Sequence, residues 1–321
     1  MSISIKNLPP EEYFVGHKAC AGCGGSLVVR LALKVFGPKS HVVIPAGCMS
    51  AVGFIYPQMA VGVNAMIAPF AATGAVLSGL AAALRAKGIT DIPVVGFAGD
   101  GATADIGLQS LSGAFDRQER IIYICYDNEA YMNTGIQKSG ATPWGAKTTT
   151  SPSGFKPYHL NGEKRPGDVL DAAPPTARQG WRSHKKDLLQ IAAAHHVPYA
   201  ATASVGQPSD LLKKLEKAAT VDGPAFLHVF APCPTGWGCA SDSTIALGKS
   251  VVDTGLWPLL EYQQGALTIN RNPNRFAPLE SYFSEQGRFK SLEPELLSAL
   301  AAARDERWRE LRAWANAAPP V

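Results

Sequence analysis

Short, unbroken apolar runs recur along this chain, each ending on small or polar residues. Pro93–Ala98 and Ile121–Tyr126 form the clearest pair, with a helix-length segment, about Asp105–Arg117, between them. Runs that do not alternate read as strands buried on both faces, and a helix between two of them makes a parallel strand–helix–strand unit. The same pattern predicts a helix at Ser26–Phe36, stopped by Gly37-Pro38, and a strand at His41–Pro45. Further on it predicts a helix at Asp187–His195, a strand at Tyr199–Ala203, an amphipathic helix at Ser209–Thr220 and a strand at Ala225–Phe230. His195-His196 reads as a solvated helix end rather than a metal site. Repeated strand–helix units imply an α/β fold with one doubly wound, mostly parallel sheet.

Three stretches break this rhythm. Ala60–Leu84 has no charged residue over 25 positions, which raises the question of a membrane span. Asn64, Pro69, Thr73 and Ser78 interrupt it and Ala and Gly dominate it. It is therefore read as a fully buried helix, starting near Pro69 and ending near Gly88, with no membrane span. Lys138–Arg182 is rich in Thr, Ser, Pro, Gly and Lys, and a loop of that length is either functional or disordered. Beyond about Trp257 strand signals are few. Arg271–Phe276 reads as an extended linker and Glu293–Ala317 as a charged helix that covers the surface or clasps another subunit. The expected organisation is an α/β domain over 1–256 and a C-terminal tail over 257–321.

At 321 residues, 46% apolar and 17% charged, the chain can bury a substantial core and is not globally disordered. Its net charge of +4, without basic runs interleaved with aromatics, gives no ground for a nucleic-acid partner. The opening MSISIKNLPPEEYF has acids and prolines but no apolar centre, so it is not read as a secretory signal. A reducing, cytoplasmic setting is expected. There, six cysteines serve as ligands or core residues more often than as disulfides. Cys125, inside a core strand, is read as structural.

The chemistry concentrates where the apolar runs stop, at the carboxyl ends of strands, which is where open α/β sheets bind ligands. Gly99 and Gly101 flank Asp100 at a strand-to-helix turn. Glycines there admit a large anion close to the backbone, and the helix amino end behind them favours negative charge. One carboxylate together with phosphate oxygens is a usual way to hold Mg²⁺. Asn128 offers a second hard oxygen from the next strand end, 26 residues lying between it and Gly101. The ordinary alternative is an Asp helix cap and an Asn turn.

A second signal is thiol-based. Cys20 and Cys23 form a CxxC among glycines, able to grip a metal or cluster while backbone N–H groups face the sulfurs. Alone, it reads equally as zinc ligands, a redox dithiol or coincidence; neighbouring His17 reads as structural. Cys48 follows the strand His41–Pro45, and Cys233 follows the strand Ala225–Phe230. Cys239, six positions on, rivals Cys233 as a fourth ligand.

Gly-Asp-Gly, the spacing to Asn128 and the continuation Asp127-Asn-Glu129-Ala-Tyr131-Met-Asn133-Thr-Gly135 resemble the thiamine diphosphate (ThDP) motif. The continuation is the more specific part, and it resembles the DxExYxNTG segment of the β subunit of 2-oxoacid:ferredoxin oxidoreductases, the pyruvate:ferredoxin oxidoreductase family. Three separated motifs carry it, the others being the HxxCxGCG of His17–Gly24 with Gly47-Cys48, and the APCPTGW of Ala231–Trp237. The resemblance covers roughly residues 13–240. It implies a ThDP-binding fold with Asp100, the Asn128 side chain and the Ala130 carbonyl on Mg²⁺. It places Gly99, Gly101, Ala102, Tyr131, Asn133, Thr134 and Cys48 beside the cofactor, with Asn133 orienting substrate. It implies a 4Fe-4S cluster on Cys20, Cys23, Cys48 and Cys233.

The implied activity is oxidative decarboxylation of a 2-oxoacid, with the acyl group passed to coenzyme A and electrons passed to ferredoxin or a similar acceptor. In such enzymes the thiazolium ring of ThDP accepts the electrons left behind by CO₂, and a nearby cluster can then take them from the reduced adduct one at a time. The pyrimidine-activating glutamate is not evident in this chain, so α-, γ- and δ-type partner subunits, or fused equivalents, are expected. Two other readings stand beside this one: a non-oxidative ThDP decarboxylase with structural zinc on the cysteines, and a non-catalytic electron-transfer or scaffold module.

Overall fold

Eight strands form one sheet in a computed structural model that describes residues 3–151, 185–290 and 292–317. The strands are β1 (His41–Pro45), the small hairpin strands β2 (Phe54–Ile55) and β3 (Gln58–Met59), β4 (Asn64–Ala68), β5 (Val94–Gly99), β6 (Ile122–Asp127), β7 (Tyr199–Ser204), β8 (Ala225–Phe230), β9 (Leu260–Gln263) and β10 (Ala266–Ile269). The large sheet runs β10-β9-β7-β8-β6-β5-β1-β4, and β2 pairs only with β3. All pairings from β7 to β4 are parallel, while β9 and β10 join antiparallel. The central runs β5, β6 and β8 are almost wholly buried, as unbroken apolar strands covered on both faces must be.

The helices are α1 (Gly24–Phe36), α2 (Cys48–Gly53), α3 (Thr73–Ala86), α4 (Leu108–Asp116), α5 (Leu188–Ala194), α6 (Pro208–Thr220), α7 (Pro234–Trp237), α8 (Thr244–Asp253), α9 (Glu280–Phe283) and α10 (Pro294–Asn316). On one face α1 and α6 bury Val28, Ala32, Leu33, Leu211 and Leu215 against the sheet. On the other, α3, α4 and α5 bury Leu77, Leu111, Phe115 and Leu189, and Leu311 of α10 joins them. This is the doubly wound arrangement that the strand–helix alternation predicts.

Several expectations need correction. The charge-free segment 60–84 is not one fully buried helix: it holds β4, an edge strand exposing Met66 and Ile67, and then α3, which buries Thr73, Gly74, Leu77, Ser78 and Ala81 but exposes Ala75, Gly79 and Ala83. An α-helix lying on a sheet buries only the side it turns inward. The stretch beyond Trp257 is not poor in strands, because β9 and β10 extend the same sheet. His195 is not merely solvated, since its Nε2 lies 2.7 Å from Ser112 Oγ and ties α5 to α4. Most of the long polar loop, 152–184, lies outside the described residues. Among the described residues no helix is long and apolar enough to cross a membrane.

Candidate active site

The parallel strands bring β1, β5, β6 and β8 to one edge of the sheet by their carboxyl ends. Gly47-Cys48 follows β1, Asp100-Gly101 follows β5, Asn128 follows β6, and Ala231–Cys233 follows β8. A cleft of about 590 Å³ opens there, lined by Gly47, Cys48, Phe70, Gly99–Ala102, Tyr126, Asn128 and Ala130–Thr134.

Asp100 forms the floor of this cleft and is fully buried. It stands at the start of a π-helical turn, Gly101–Asp105, but its side chain makes no capping hydrogen bond. Its Oδ2 accepts instead from Ser139 Oγ. Burial, then the neighbouring Asp127 charge, pushes the Asp100 carboxyl well above the usual carboxylate range. Such a group gains from a cation. The ordinary reading of Asp100 as a helix cap therefore does not hold here.

The Asn128 amide points one terminal atom at Asp100 Oδ1, 3.0 Å away, and at the Ala130 carbonyl oxygen, 2.9 Å away. As nitrogen, that atom donates to both. As oxygen, it would face two other oxygens, a placement that a cation between them would stabilise. Tyr131 closes over Gly101, and its hydroxyl donates to the Gly101 carbonyl at 3.3 Å. A Cβ on Gly101 would meet the Tyr131 ring at 2.5 Å, so the close approach requires glycine. Asn133 and Thr134 are exposed at the mouth, and the Thr134 hydroxyl is engaged with Gln137 Oε1 at 2.6 Å.

The four cysteines come from three segments, Cys20 and Cys23 sharing the CxxC loop. Cys23 caps α1, Cys48 opens α2 and Cys233 caps α7, its sulfur accepting from the Gly236 N–H at 3.4 Å. The Gly24 N–H donates to the Pro232 carbonyl at 3.0 Å, which docks the CxxC loop on the end of β8. Burial, then the adjacent Cys233, Cys23 and Cys20, pushes the Cys48 thiol up to about 12. Burial likewise raises Cys233 to about 11, with Cys23 and Cys20 adding to it. The four are thus electrostatic neighbours, and Cys48 also lines the cleft. Cys239 is not among the largest influences on these thiols. Among the described residues, no three His, Cys, Asp or Glu side chains converge as the ligands of one metal ion do. Cys125 is fully buried in β6. His17 stacks on Phe14, ring centroids 4.6 Å apart.

Behind the cleft lies a charged layer that the sequence reading did not identify. Asp127 Oδ2 lies 2.8 Å from His228 Nε2 and 2.9 Å from Lys185 Nζ. Burial raises the Asp127 carboxyl, but Lys185 and His228 outweigh it and bring it down to about 2. Glu129, at φ 64, meets Lys185 at 2.9 Å and Arg288 at 2.6 Å. Although burial disfavours its charge, Lys185 is held above its ordinary range by Asp127 and Glu129. The acidic positions of the Asp127–Gly135 motif were the available signal; their cationic partners, 56 to 159 positions away, left none.

Comparison with known proteins agrees with this geometry. The family model "Thiamine pyrophosphate enzyme, C-terminal TPP binding domain" matches residues 45–229. The pyruvate synthase subunit PorB of Methanothermobacter thermautotrophicus is 45% identical over 306 residues, 95% of this chain and 99% of that protein. The ketoisovalerate oxidoreductase subunit VorB of Pyrococcus horikoshii is 46% identical over 309 residues, 94% of this chain and 93% of that protein. A solved 2-oxoglutarate:ferredoxin oxidoreductase from Magnetococcus marinus, with 2-oxoglutarate, coenzyme A and succinyl-CoA bound, shares the fold at a TM-score of 0.55 and 19% identity, covering 94% of this chain and 91% of that one. With its cleft at the strand ends and relatives this similar over nearly their whole length, the chain belongs to the thiamine pyrophosphate-binding subunit family of 2-oxoacid oxidoreductases that includes PorB and VorB.

Proposed function

We propose that this chain is the catalytic, ThDP-binding subunit of a cytoplasmic 2-oxoacid oxidoreductase. It decarboxylates a 2-oxoacid oxidatively, yields an acyl-CoA and passes electrons to ferredoxin or a similar acceptor. One observation carries the reading: the Asp100 carboxyl, the Asn128 side-chain amide and the Ala130 carbonyl meet in a cleft that Cys48, one of the four neighbouring thiols, also lines. The relatives named for pyruvate and ketoisovalerate, and the 2-oxoglutarate enzyme of similar fold, support the substrate class.

The residues fit the groups this activity needs. Mg²⁺ takes oxygens at about 2.0–2.1 Å in an octahedron, which sets adjacent ligands roughly 2.9 Å apart. The Asn128 amide oxygen would meet Asp100 and Ala130 at 3.0 and 2.9 Å. Asp100, Asn128 and the Ala130 carbonyl would therefore hold Mg²⁺ and, through it, the diphosphate. Gly99, Gly101, Ala102, Tyr131 and Thr134 would shape the cofactor wall. Cys20, Cys23, Cys48 and Cys233 would hold a 4Fe-4S cluster. Four thiols brought together from three segments match the ligand set of such a cluster.

ThDP supplies the electron sink for loss of CO₂, and an adjacent cluster supplies a one-electron store. The chain's own groups bind and orient. Buried Asp100 neutralises cationic charge, Tyr131 closes the cleft over Gly101 and limits water, and Asn133 at the mouth hydrogen-bonds the 2-oxoacid. The remaining groups come from α-, γ- and δ-type partner subunits. Exposed apolar side chains on the β2–β3 hairpin, Tyr56 (93% exposed) and Met59, and on the edge strand β4, Met66 and Ile67, support assembly with other chains.

The test is anaerobic purification of the native complex, with iron, acid-labile sulfide, zinc and ThDP quantified and repeated for Cys233→Ala and Cys239→Ala. Iron, sulfide and ThDP together, with the cluster lost only in Cys233→Ala, are the expected result. Zinc without sulfide would move the assignment to a non-oxidative decarboxylase, and absence of ThDP would end both readings.

A further inference from the structure

Glu129 sits between Asn128, whose amide meets Asp100 Oδ1, and Ala130, whose carbonyl meets that same amide, yet it does not line the cleft. Its backbone is in the left-handed region, φ 64, a conformation that a non-glycine residue keeps only where its surroundings fix it. Four bonds fix it. Its N–H donates to Asp127 Oδ1 at 2.8 Å and its carbonyl accepts from Thr142 Oγ1 at 2.6 Å. Its carboxylate accepts from Lys185 Nζ at 2.9 Å and from Arg288 Nη2 at 2.6 Å.

Arg288 reaches the loop a second way. Its guanidinium lies 3.6 Å from the centroid of the Trp237 ring, and the Trp237 indole N–H donates to the Asn128 carbonyl at 2.9 Å. Gln286 Oε1 accepts from Arg288 Nε at 2.9 Å and holds the fork in plane. Both Arg288 and Glu129 are buried. One side chain from the C-terminal part of the chain thus grips the loop through Glu129 and braces it through Trp237 on Asn128.

We propose that Arg288 is a positioning residue for Mg²⁺-dependent diphosphate binding. Through Glu129 and Trp237 it keeps the Asn128 side chain and the Ala130 carbonyl aligned with Asp100. The inference rests on the reading of the cleft as a Mg²⁺–diphosphate site. A planar fork suits this geometry, because a lysine keeps the charge but loses the stacked, directed contact. Groups of this kind, one step removed from metal ligands, alter metal affinity by roughly tenfold to a hundredfold.

The experiment strips the native complex of Mg²⁺ and ThDP and titrates ThDP back at limiting and at saturating Mg²⁺, reading tryptophan fluorescence. The wild type is compared with Arg288→Met, Arg288→Lys and Glu129→Gln. At limiting Mg²⁺ the apparent ThDP Kd should rise roughly tenfold or more in Arg288→Met and less in Arg288→Lys. Both should approach the wild type as Mg²⁺ saturates. Unchanged affinity, or a shift equal at all Mg²⁺ concentrations, overturns the proposal, the latter marking a merely structural role. Should Arg288→Met fail to assemble, the Mg²⁺ dependence of Arg288→Lys decides the matter alone. Combining Glu129→Gln with Arg288→Lys should cost less than the sum of the two; additive losses also overturn the proposal. A wild type that binds no ThDP at any Mg²⁺ concentration would instead refute the reading of the cleft.

Discussion

Tyr131 lies across Gly101, its hydroxyl bonded to the Gly101 carbonyl at 3.3 Å and its ring 2.5 Å from where a Cβ on Gly101 would stand. The two residues follow neighbouring strands, β5 and β6, so their contact sets the width of the cleft. Gly101→Ala should drive the ring aside and cost about 1–3 kcal/mol by overpacking. ThDP binding should fall with it, because the displaced ring enters the space beside Asp100. Calorimetry of the complex checks the first effect, and a ThDP titration checks the second. Adding Tyr131→Ala should recover stability lost in Gly101→Ala; additive losses would show that the strain lies elsewhere.

Asp100 separates stability from function. Its carboxyl is buried beside Asp127, and burial and that neighbour both disfavour its charge. Asp100→Asn keeps the shape and removes the charge. Without Mg²⁺ the variant should melt no lower than wild type, because a buried polar site near a binding centre is commonly held at a cost to stability. Mg²⁺-dependent retention of ThDP should fall by more than tenfold. Melting curves with and without Mg²⁺ and ThDP read both. A variant that melts lower without ligands but binds normally would show Asp100 to be purely structural.

The central part of this fold was legible because its physics is local. β5, β6 and β8 are continuous apolar runs buried on both faces, and the turn after β5 announces itself as Gly-Asp-Gly. The edges were not. β4 carries exposed Met66 and Ile67 and pairs on one side only, so its pattern merged with the helix that follows. β9 and β10 are four residues each, joined at Gln264 (φ 49) and Gly265 (φ 88). Both turn residues take positive φ, as a tight hairpin requires, but Gln-Gly is a weaker signal than Asn-Gly. Asp100, Asn128 and the cysteines were readable as motif residues. Ser139, Lys185 and Arg288 were not, since they act through contacts between distant segments that no local pattern records.

Cys239 and Cys233 should separate cleanly. Cys233 lies in the electrostatic field of the CxxC thiols and raises Cys48, whereas Cys239 Sγ faces the Pro234 carbonyl at 3.9 Å, although both pack against the cluster around Trp237. Cys239→Ser should keep iron and sulfide and cost about 1 kcal/mol or less of stability, since its sulfur already meets a carbonyl that a hydroxyl can serve. Cys233→Ser should lose most of the iron. The reverse pattern in iron and sulfide analysis would reassign the fourth ligand.

Glu261 predicts an acid limb to stability remote from the cleft. It sits on β9 and accepts from Tyr199 Oη at 3.0 Å, from Asn270 Nδ2 at 2.6 Å and from Lys217 Nζ, tying the terminal hairpin to β7 and α6. Burial pushes its carboxyl up, but the bonds from Lys217, Asn270 and Tyr199 outweigh burial and leave it below the ordinary glutamate range. A carboxyl lowered by folding stabilises the protein above its unfolded pKa, about 4.3, and that stabilisation fades as pH falls through the lower folded value. Glu261→Gln should therefore melt a few degrees below wild type near neutral pH, consistent with about 1–3 kcal/mol for charged hydrogen bonds. The gap should narrow as pH drops below about 4. A gap that stays constant from pH 7 to pH 3 would show that packing, not the charge on Glu261, holds the hairpin.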